Sequence, residues 1–415
     1  MKISPTEFAD ALGNVSFPLA VAVSGGADSL ALLLLAHQFA KGRVIAITVD
    51  HGLRPDSAKE ALQVQAWAKE RGIEHVILEW QGEKPQSRLQ EKAREVRYNL
   101  LTTWCKANGV HHLLLGHHGQ DQEETFWMRL AAGSGLDGLS GIKSKVIREG
   151  IILHRPLLSF SKEQLKETLS AENQDWVEDP SNQNQRFLRG RLRQSLETEG
   201  LSSTRLLNVM NKLREDSDFI QQNVDAFLKM HAQLQKEGYL TVNKEAFLNL
   251  HPAIAKRVIS FLMGWFQGAS YPPRSKQLET ILEKIKEEQA FTAGGIYWVM
   301  KKTNITLFRE VSAIQDALPL NEINSLILWD NRFWIDPAIR ENVSRETFLA
   351  PVGNAEGKTV NAIPHHALIS LPALWEKGKV VAILPLCYSN LSREKELQKL
   401  ILLKPLFHES LMITM

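Results

Sequence analysis

Short apolar runs alternate with longer segments of mixed polarity over residues 1–200. Leu19-Ala20-Val21-Ala22-Val23 is one such run, closed by Ser24-Gly25-Gly26. Residues 30–40 then read as a helix that stops at Lys41-Gly42, where glycine suits a left-handed C-terminal cap. Val44-Ile45-Ala46-Ile47-Thr48-Val49 is β-branched enough for a strand buried on both faces. Ser57 with Glu60, Ser87 with Gln90 and Ser161 with Gln164 each have the spacing of a capping box ahead of a helix. The strands expected between these helices are His75-Val76-Ile77-Leu78, His112-Leu113-Leu114-Leu115 and residues 151–158, with another helix over 122–132. Strand and helix alternating in this way predict a doubly wound α/β fold, a parallel sheet covered by helices on both faces. Ligands bind such sheets beyond the carboxyl ends of the strands.

After residue 200 the pattern changes. Residues 201–235 and 246–266 read as helical, Pro272-Pro273 interrupts, and 276–287 resumes a helix. Residues 293–299 and 305–308 read as a hairpin, and beyond 315 short strand-like runs such as 332–335 and 380–384 lie among prolines. The expected organisation is a catalytic domain over 1–200, a mainly helical domain over 201–315 and a small α+β domain over 316–415.

Composition sharpens this only at the margins. With 415 residues, the chain is too long for one ordinary core, and 44% hydrophobic and 23% charged residues suit a globular protein. Its apolar runs fall short of a membrane span, and Met1-Lys2-Ile3-Ser4-Pro5 lacks the pattern of a signal peptide, so a cytoplasmic protein without a membrane partner is expected. Two distant cysteines, Cys105 and Cys387, build neither a disulfide framework nor a redox pair and read as small buried hydrophobes. A net charge of +2 demands no nucleic-acid partner, so that case rests on local clusters.

The sharpest chemical signal is Ser24-Gly25-Gly26-Ala27-Asp28-Ser29, between a strand and a helix. Two glycines let the backbone approach an anion, and the helix N-terminus favours negative charge there. No lysine follows a Walker-type frame. The loop carries Asp28 instead, which suits Mg²⁺, a hard cation that bridges phosphates. His117 and His118, ahead of an acidic cluster at a strand end, read either as site residues or as strand-end histidines with satisfied hydrogen bonds. Glu124 and Arg129 read either as site residues or as a solvated helix face. Arg94 and Arg97 lie one turn apart. Arg186, Arg189 and Arg193, with Arg191 beside them, form either a phosphate-binding stripe or a solvated basic face.

The six-residue loop resembles the SGGxDS signature of PP-loop ATP pyrophosphatases, which split ATP between the α- and β-phosphates and pass AMP to a carbonyl oxygen. Further segments narrow the resemblance to the lysidine synthases. His51-Gly52-Leu53-Arg54 is similar to their HGLR, and residues 90–98 to Q-x-x-AR-x-x-RY. Residues 117–125 are similar to HHxDDQxET, Gly133-Ser134-Gly135 to GSG, residues 155–158 to RPLL and 176–182 to W-x-x-D-x-SN. The likeness is strong to about residue 193 and looser beyond, where residues 371–375 resemble part of the terminal domain. Two positions depart from the pattern: Gln120 replaces the first carboxylate of the DDQ string, and Gly190 stands where asparagine is usual.

The resemblance implies an adenine nucleotide alpha hydrolase-like fold and an ATP- and Mg²⁺-dependent C–N ligase. Such enzymes join free L-lysine to C2 of the wobble cytidine of an isoleucine tRNA with a CAU anticodon. Ser24, Gly25, Gly26, Ala27, Asp28 and Ser29, with His51, Arg97 and Gly116, would bind the nucleotide. Asp28 would also hold Mg²⁺ and, with His118 and Asp121, serve catalysis. Arg94, Arg186, Arg189, Arg191 and Arg193 would contact tRNA, and both C-terminal domains would grip its body. No obligate protein partner is expected. A tRNA thiolase would need catalytic cysteines, and a glutamine-dependent synthetase a glutaminase domain. The competing reading is a tRNA-binding homologue weakened or inactive through Gln120 and Gly190.

Overall fold

In the computed structural model the chain divides into two compact units, residues 1–217 and 218–415. The structure describes residues 2–53, 56–82, 84–85, 89–178, 198, 204–268, 273–314, 317–344, 346–353, 363–384, 388–389 and 401–406. The arginine stripe 186–193, the Ser87 capping position and Cys387 lie outside the described residues. Among the described residues, no helix is long and apolar enough to cross a membrane.

The first unit opens with helix α1 (Pro5–Leu12), followed by β1 (Leu19–Ala22), α2 (Ala27–Ala40), β2 (Val44–Asp50), α3 (Ser57–Glu70), β3 (Glu74–Glu79) and α4 (Leu89–Ala107). Next come β4 (His112–Leu114), α5 (Gly119–Ala131), α6 (Leu136–Leu139), β5 (Lys145–Arg148), β6 (Ile151–His154) and α7 (Lys162–Ala171). The six strands form one sheet in the order β3-β2-β1-β4-β6-β5. All neighbouring pairs are parallel except β5 with β6.

β1 shows why two faces are covered. Leu19 and Val21 enter one apolar cluster with α1, α2 and α7. Ala20 and Ala22, pointing the opposite way, enter another with Tyr98, Leu101 and Cys105 of α4. Burial pushes the Cys105 thiol up to about 11, which keeps it an inert core residue. Between β1 and β4 the strand order reverses direction, so the crevice at their carboxyl ends is the switch point of the sheet.

Two expectations for this unit change, and two elements are new. Ser161 and Gln164 form the anticipated capping box. Ser57, however, is the first residue of α3, with Asp56 before it and no cap bond from the Asp56 side chain; a box needs its serine outside the helix. The strand expected over 151–158 ends at His154 and gives way to turns. Strand β5 and helix α1, the latter capped by Ser4 and Glu7, were not anticipated.

His112 Nδ1 and His154 Nε2 meet at 2.8 Å between β4 and β6, both buried. Burial lowers both pKa values, that of His154 to about 4. The unfolded chain therefore takes up protons below pH 6.5 that the fold refuses until about pH 4, so stability falls as pH drops through this window. We expect His154 alone to remove roughly 2–3 kcal/mol by the bottom of the window. Denaturant titrations at pH 7.5 and pH 5 check this: His154→Gln should flatten the pH dependence, and parallel slopes for the two proteins would refute it.

Helix α8 (Thr204–His231) runs from the first unit into the second. The second unit continues with β7 (Ala232–Leu234), β8 (Leu240–Asn243), α9 (Lys244–Leu248), α10 (Pro252–Gln267), α11 (Ser275–Lys286), β9 (Phe291–Ala293), β10 (Ile296–Met300) and β11 (Asn304–Arg309). The expected hairpin is the antiparallel pair β10–β11. It sits inside a five-stranded sheet, β7-β8-β11-β10-β9, so this region carries more strand than its helical periodicity suggested. The strands β12 (Leu318–Pro319), β15 (Phe348–Pro351), β16 (Pro372–Glu376), β17 (Lys379–Ile383) and β18 (Tyr388–Ser389) make a further sheet. A small sheet joins β13 (Ile327–Trp329), β14 (Phe333–Ile335) and β19 (Ile401–Leu403). Helix α12 (His365–Ile369) completes the unit.

One polar cluster spans its sheets. Asp330 accepts from Arg309 Nε at 2.8 Å and from Arg332 Nε at 2.7 Å. Arg332 also donates to Gly238 O and Ser370 O, and Arg309 to Gly295 O and Ala313 O. Burial brings Arg332 down to about 10, with Asp330 opposing the shift, so the guanidinium stays charged.

Candidate active site

The loop after β1 and the turn after β4 face the switch point. In the 24–29 loop, Gly25 has φ +85°, a left-handed conformation that a side chain would strain. A Cβ on Gly26 would meet only Ser24 Oγ, at 3.8 Å, so the missing side chain leaves open space against the N-terminus of α2. That space, next to backbone N–H groups with no helical acceptor, fits a phosphate. Ser29 holds the loop rather than pointing into it. Its hydroxyl accepts from Ser24 N at 3.1 Å and donates to Gly26 O at 3.0 Å.

Two distant segments brace this turn. Gly25 O accepts from Val177 N at 2.9 Å. Gly116 lies so close that a Cβ there would stand 3.2 Å from Ser29 N and Cα and 3.3 Å from Asp28 C. Gly116 thus acts through contact with the loop. We expect Gly116→Ala to cost about 1–3 kcal/mol by overpacking and to weaken ATP binding; calorimetric titration with Mg-ATP checks this, and unchanged affinity would count against the packing role.

His118 is 2% exposed and caps α5. Its Nδ1 accepts the Gln120 N–H at 3.2 Å, which requires a bare nitrogen there and puts the ring proton on Nε2. Nε2 lies 3.5 Å from Asp28 Oδ2 and 3.9 Å from Asp121 Oδ2. Burial opposes a charge on this ring, but the bond to Asp28 and the two carboxylates outweigh it and raise the pKa above the usual value. Asp121 also accepts from the His118 backbone N–H at 3.0 Å, so it closes the cap and faces the site at once. Asp28, His118 and Asp121, expected from the sequence to act together, are brought together.

Other expected residues take different places. Arg129 is no solvated partner of Glu124: it donates to Gly138 O and Gly141 O, pinning the 133–141 turn, and Glu124 is buried. His51 stacks edge-on against Trp80, and burial, with Arg97 nearby, lowers its pKa. Arg97 is likewise lowered by burial, with Arg94 adding to the shift. Gln120 is half-buried, and its Oε1 is buried without a hydrogen-bond partner among the described residues. Val177 as a brace was not foreseen, although it lies in the segment resembling W-x-x-D-x-SN. Mg²⁺ fits the donor set: among the described residues no three ligating side chains cluster, but this ion needs only one or two carboxylates beside substrate phosphates, and Asp28 sits at the mouth of the cradle.

A model of the PP-loop domain matches residues 6–200. The tRNA(Ile)-lysidine synthase of Ruegeria pomeroyi is 34% identical over 376 residues, 88% of this chain and 87% of that protein. That of Anaplasma marginale is 30% identical over 400 residues, covering 88% and 84%. Among solved structures, the U34-tRNA thiolase NcsA of Methanococcus maripaludis is 18% identical with a TM-score of 0.43, over 51% of this chain and 77% of that one. Fold, loop and domain match define an ATP-binding PP-loop protein. Over most of its length the chain belongs to the tRNA(Ile)-lysidine synthase family.

Proposed function

We propose that the protein is a C–N ligase that uses ATP to join free lysine to C2 of the wobble cytidine in a CAU-anticodon isoleucine tRNA. The observation that carries this reading is the convergence of the 24–29 cradle with Asp28, His118 and Asp121 at one switch point, in a chain of this family.

The cytosine O2 is a poor leaving group. Transfer of AMP to it, with loss of pyrophosphate, makes it a good one, and the lysine amine then displaces AMP. The first step needs positioning and charge neutralisation. The open face beside Gly26 and the N-terminus of α2 would receive the phosphates. Asp28 would hold Mg²⁺, which when bound neutralises phosphate charge. His51 and Arg97 complete the proposed nucleotide contacts.

In the second step the lysine amine, with a pKa near 10.4, must give up a proton. Asp121 is the proposed acceptor. His118 is better placed to position than to accept, since its ring is buried, its Nδ1 is occupied by Gln120 N–H and its Nε2–H is turned to the carboxylates. The base must leave the anticodon stack to reach these groups. Residues 201–315 and 316–415, with Arg94 and the arginines at 186, 189, 191 and 193, are proposed to hold the tRNA through phosphate and shape contacts.

Incubation with Mg-ATP, radiolabelled lysine and the CAU tRNA tests this, with a C-to-U wobble transcript as control. Lysine should enter the first RNA and not the second. Tight tRNA binding without incorporation would overturn the reaction in favour of an inactive homologue, the reading that Gln120 raises, and would make Gln120→Asp the next variant.

A further inference from the structure

Beside the site lies a group of cations of which the proposed reaction uses Arg94 and Arg97 singly and Arg155 not at all. Leu115 N donates to His154 O at 2.9 Å, which sets residues 116–117 alongside Arg155. Arg155 is 8% exposed; one of its amines donates to Lys143 O at 2.9 Å, and its charge helps to lower the pKa of the Tyr98 hydroxyl. Its Nε is buried with no acceptor among the described residues. From the other side Arg94 Nη2 reaches the same hydroxyl at 3.3 Å, and Arg97 adds its field to that of both. His117, whose Nδ1 is likewise buried without a partner among the described residues, sits in the field of Asp121 on one side and of all three arginines on the other. Among the described residues no carboxylate forms a salt bridge with any of them. Like-charged guanidinium groups this close, one of them buried with its Nε unpartnered, are a costly arrangement until an anion completes it.

We propose that Arg94, Arg97 and Arg155, gathered around Tyr98, form a second phosphate cradle, separate from the 24–29 loop, that takes a backbone phosphate of the RNA strand flanking the target base. Arg155 is the new member, a buried donor that fixes register, while the exposed Arg94 reaches the strand from outside. A phosphate held here would set how far the flanking strand enters the site, and so which base arrives at C2 chemistry. This rests on the proposed function for the identity of the RNA. The shared chemistry is a phosphate oxyanion, which ATP could also supply.

The test is binding of the full chain to the CAU tRNA across a salt series, with Mg-ATP titrated in parallel, for wild type, Arg155→Gln, Arg155→Lys and Arg94→Gln. Arg155→Gln should weaken tRNA binding about tenfold and flatten the salt slope by about 0.7–0.9, the share of one phosphate contact, with Mg-ATP affinity unchanged. Arg155→Lys should keep the slope while losing affinity, since lysine retains charge without the planar fork. Because Arg155 also holds Lys143 O, Arg94→Gln provides the same slope test at an exposed position. Loss of Mg-ATP affinity alone would confirm a phosphate cradle and reassign it to the nucleotide. Unchanged binding of both ligands in all variants, or no binding of either by wild type, would overturn it. Since binding rather than lysine transfer is read, a wild type that fails to incorporate lysine would defeat the proposed reaction and leave these titrations to decide the cradle.

Discussion

Asp28→Asn should lower lysine incorporation by about 10²–10³-fold, an increase of about 3–4 kcal/mol in the barrier. The change is nearly isosteric, so the loop should keep its shape: the bonds that hold it run through Ser29, Gly26 and Val177. What disappears is charge. The proposed ligand for Mg²⁺ becomes a neutral amide, and His118 loses one of the two carboxylates that keep its pKa high. Two measurements separate these effects. Single-turnover incorporation across a Mg²⁺ series should show a loss that excess metal only partly restores. A histidine titration followed by NMR should show His118 moving down. Incorporation within tenfold of wild type would remove Asp28 from the chemistry.

The largest loss of stability is expected in the second unit, from Asp330→Ala. Asp330 is 2% exposed, and its two guanidinium partners are 9% and 0% exposed. Removing the carboxylate leaves two buried cations with neutral acceptors alone, backbone carbonyls and the Ser370 hydroxyl, a situation that costs about 3–5 kcal/mol. Backbone strain adds a smaller cost, because Asp330 has φ +48°, where alanine is disfavoured. Asp330→Asn, at ease in that conformation, isolates the charge effect and should still cost most of the total. Urea unfolding of the full chain, read by a probe in the second unit, checks both. A loss below about 1 kcal/mol for either variant would mean that water or rearrangement relieves the arginines.

Local patterns carried much of the fold into view. The strands β1, β2 and β4 are legible because a strand buried within the sheet is apolar nearly throughout, and the part-buried edge strand β3 is legible from the short run His75-Val76-Ile77-Leu78. The 24–29 loop is legible because its glycines, Asp28 and helix start are consecutive. Strand β5 escaped because it is an exposed antiparallel edge, with Ile147 55% exposed and charged residues at both ends. Strand β7 escaped because Ala232–Leu234 continues without a breaker from a long helix. Within the site, the sequence put His118 and Asp121 near one another, but nothing local announces that His118 Nε2 faces Asp28, 90 positions earlier, or that Arg155, after β6, adds its field to that of the α4 arginines at Tyr98. Those relations arise from sheet order.

The bond from Val177 to Gly25 gives the six-residue motif a history during synthesis. The loop leaves the ribosome incomplete, because one of its carbonyls waits for an amide made about 150 residues later. A nascent chain can carry the whole signature, and even the central strands, before the loop acquires its last strut. Transplanting those six residues into another sheet would, by the same reasoning, move the letters of the motif and leave behind part of what gives them their shape.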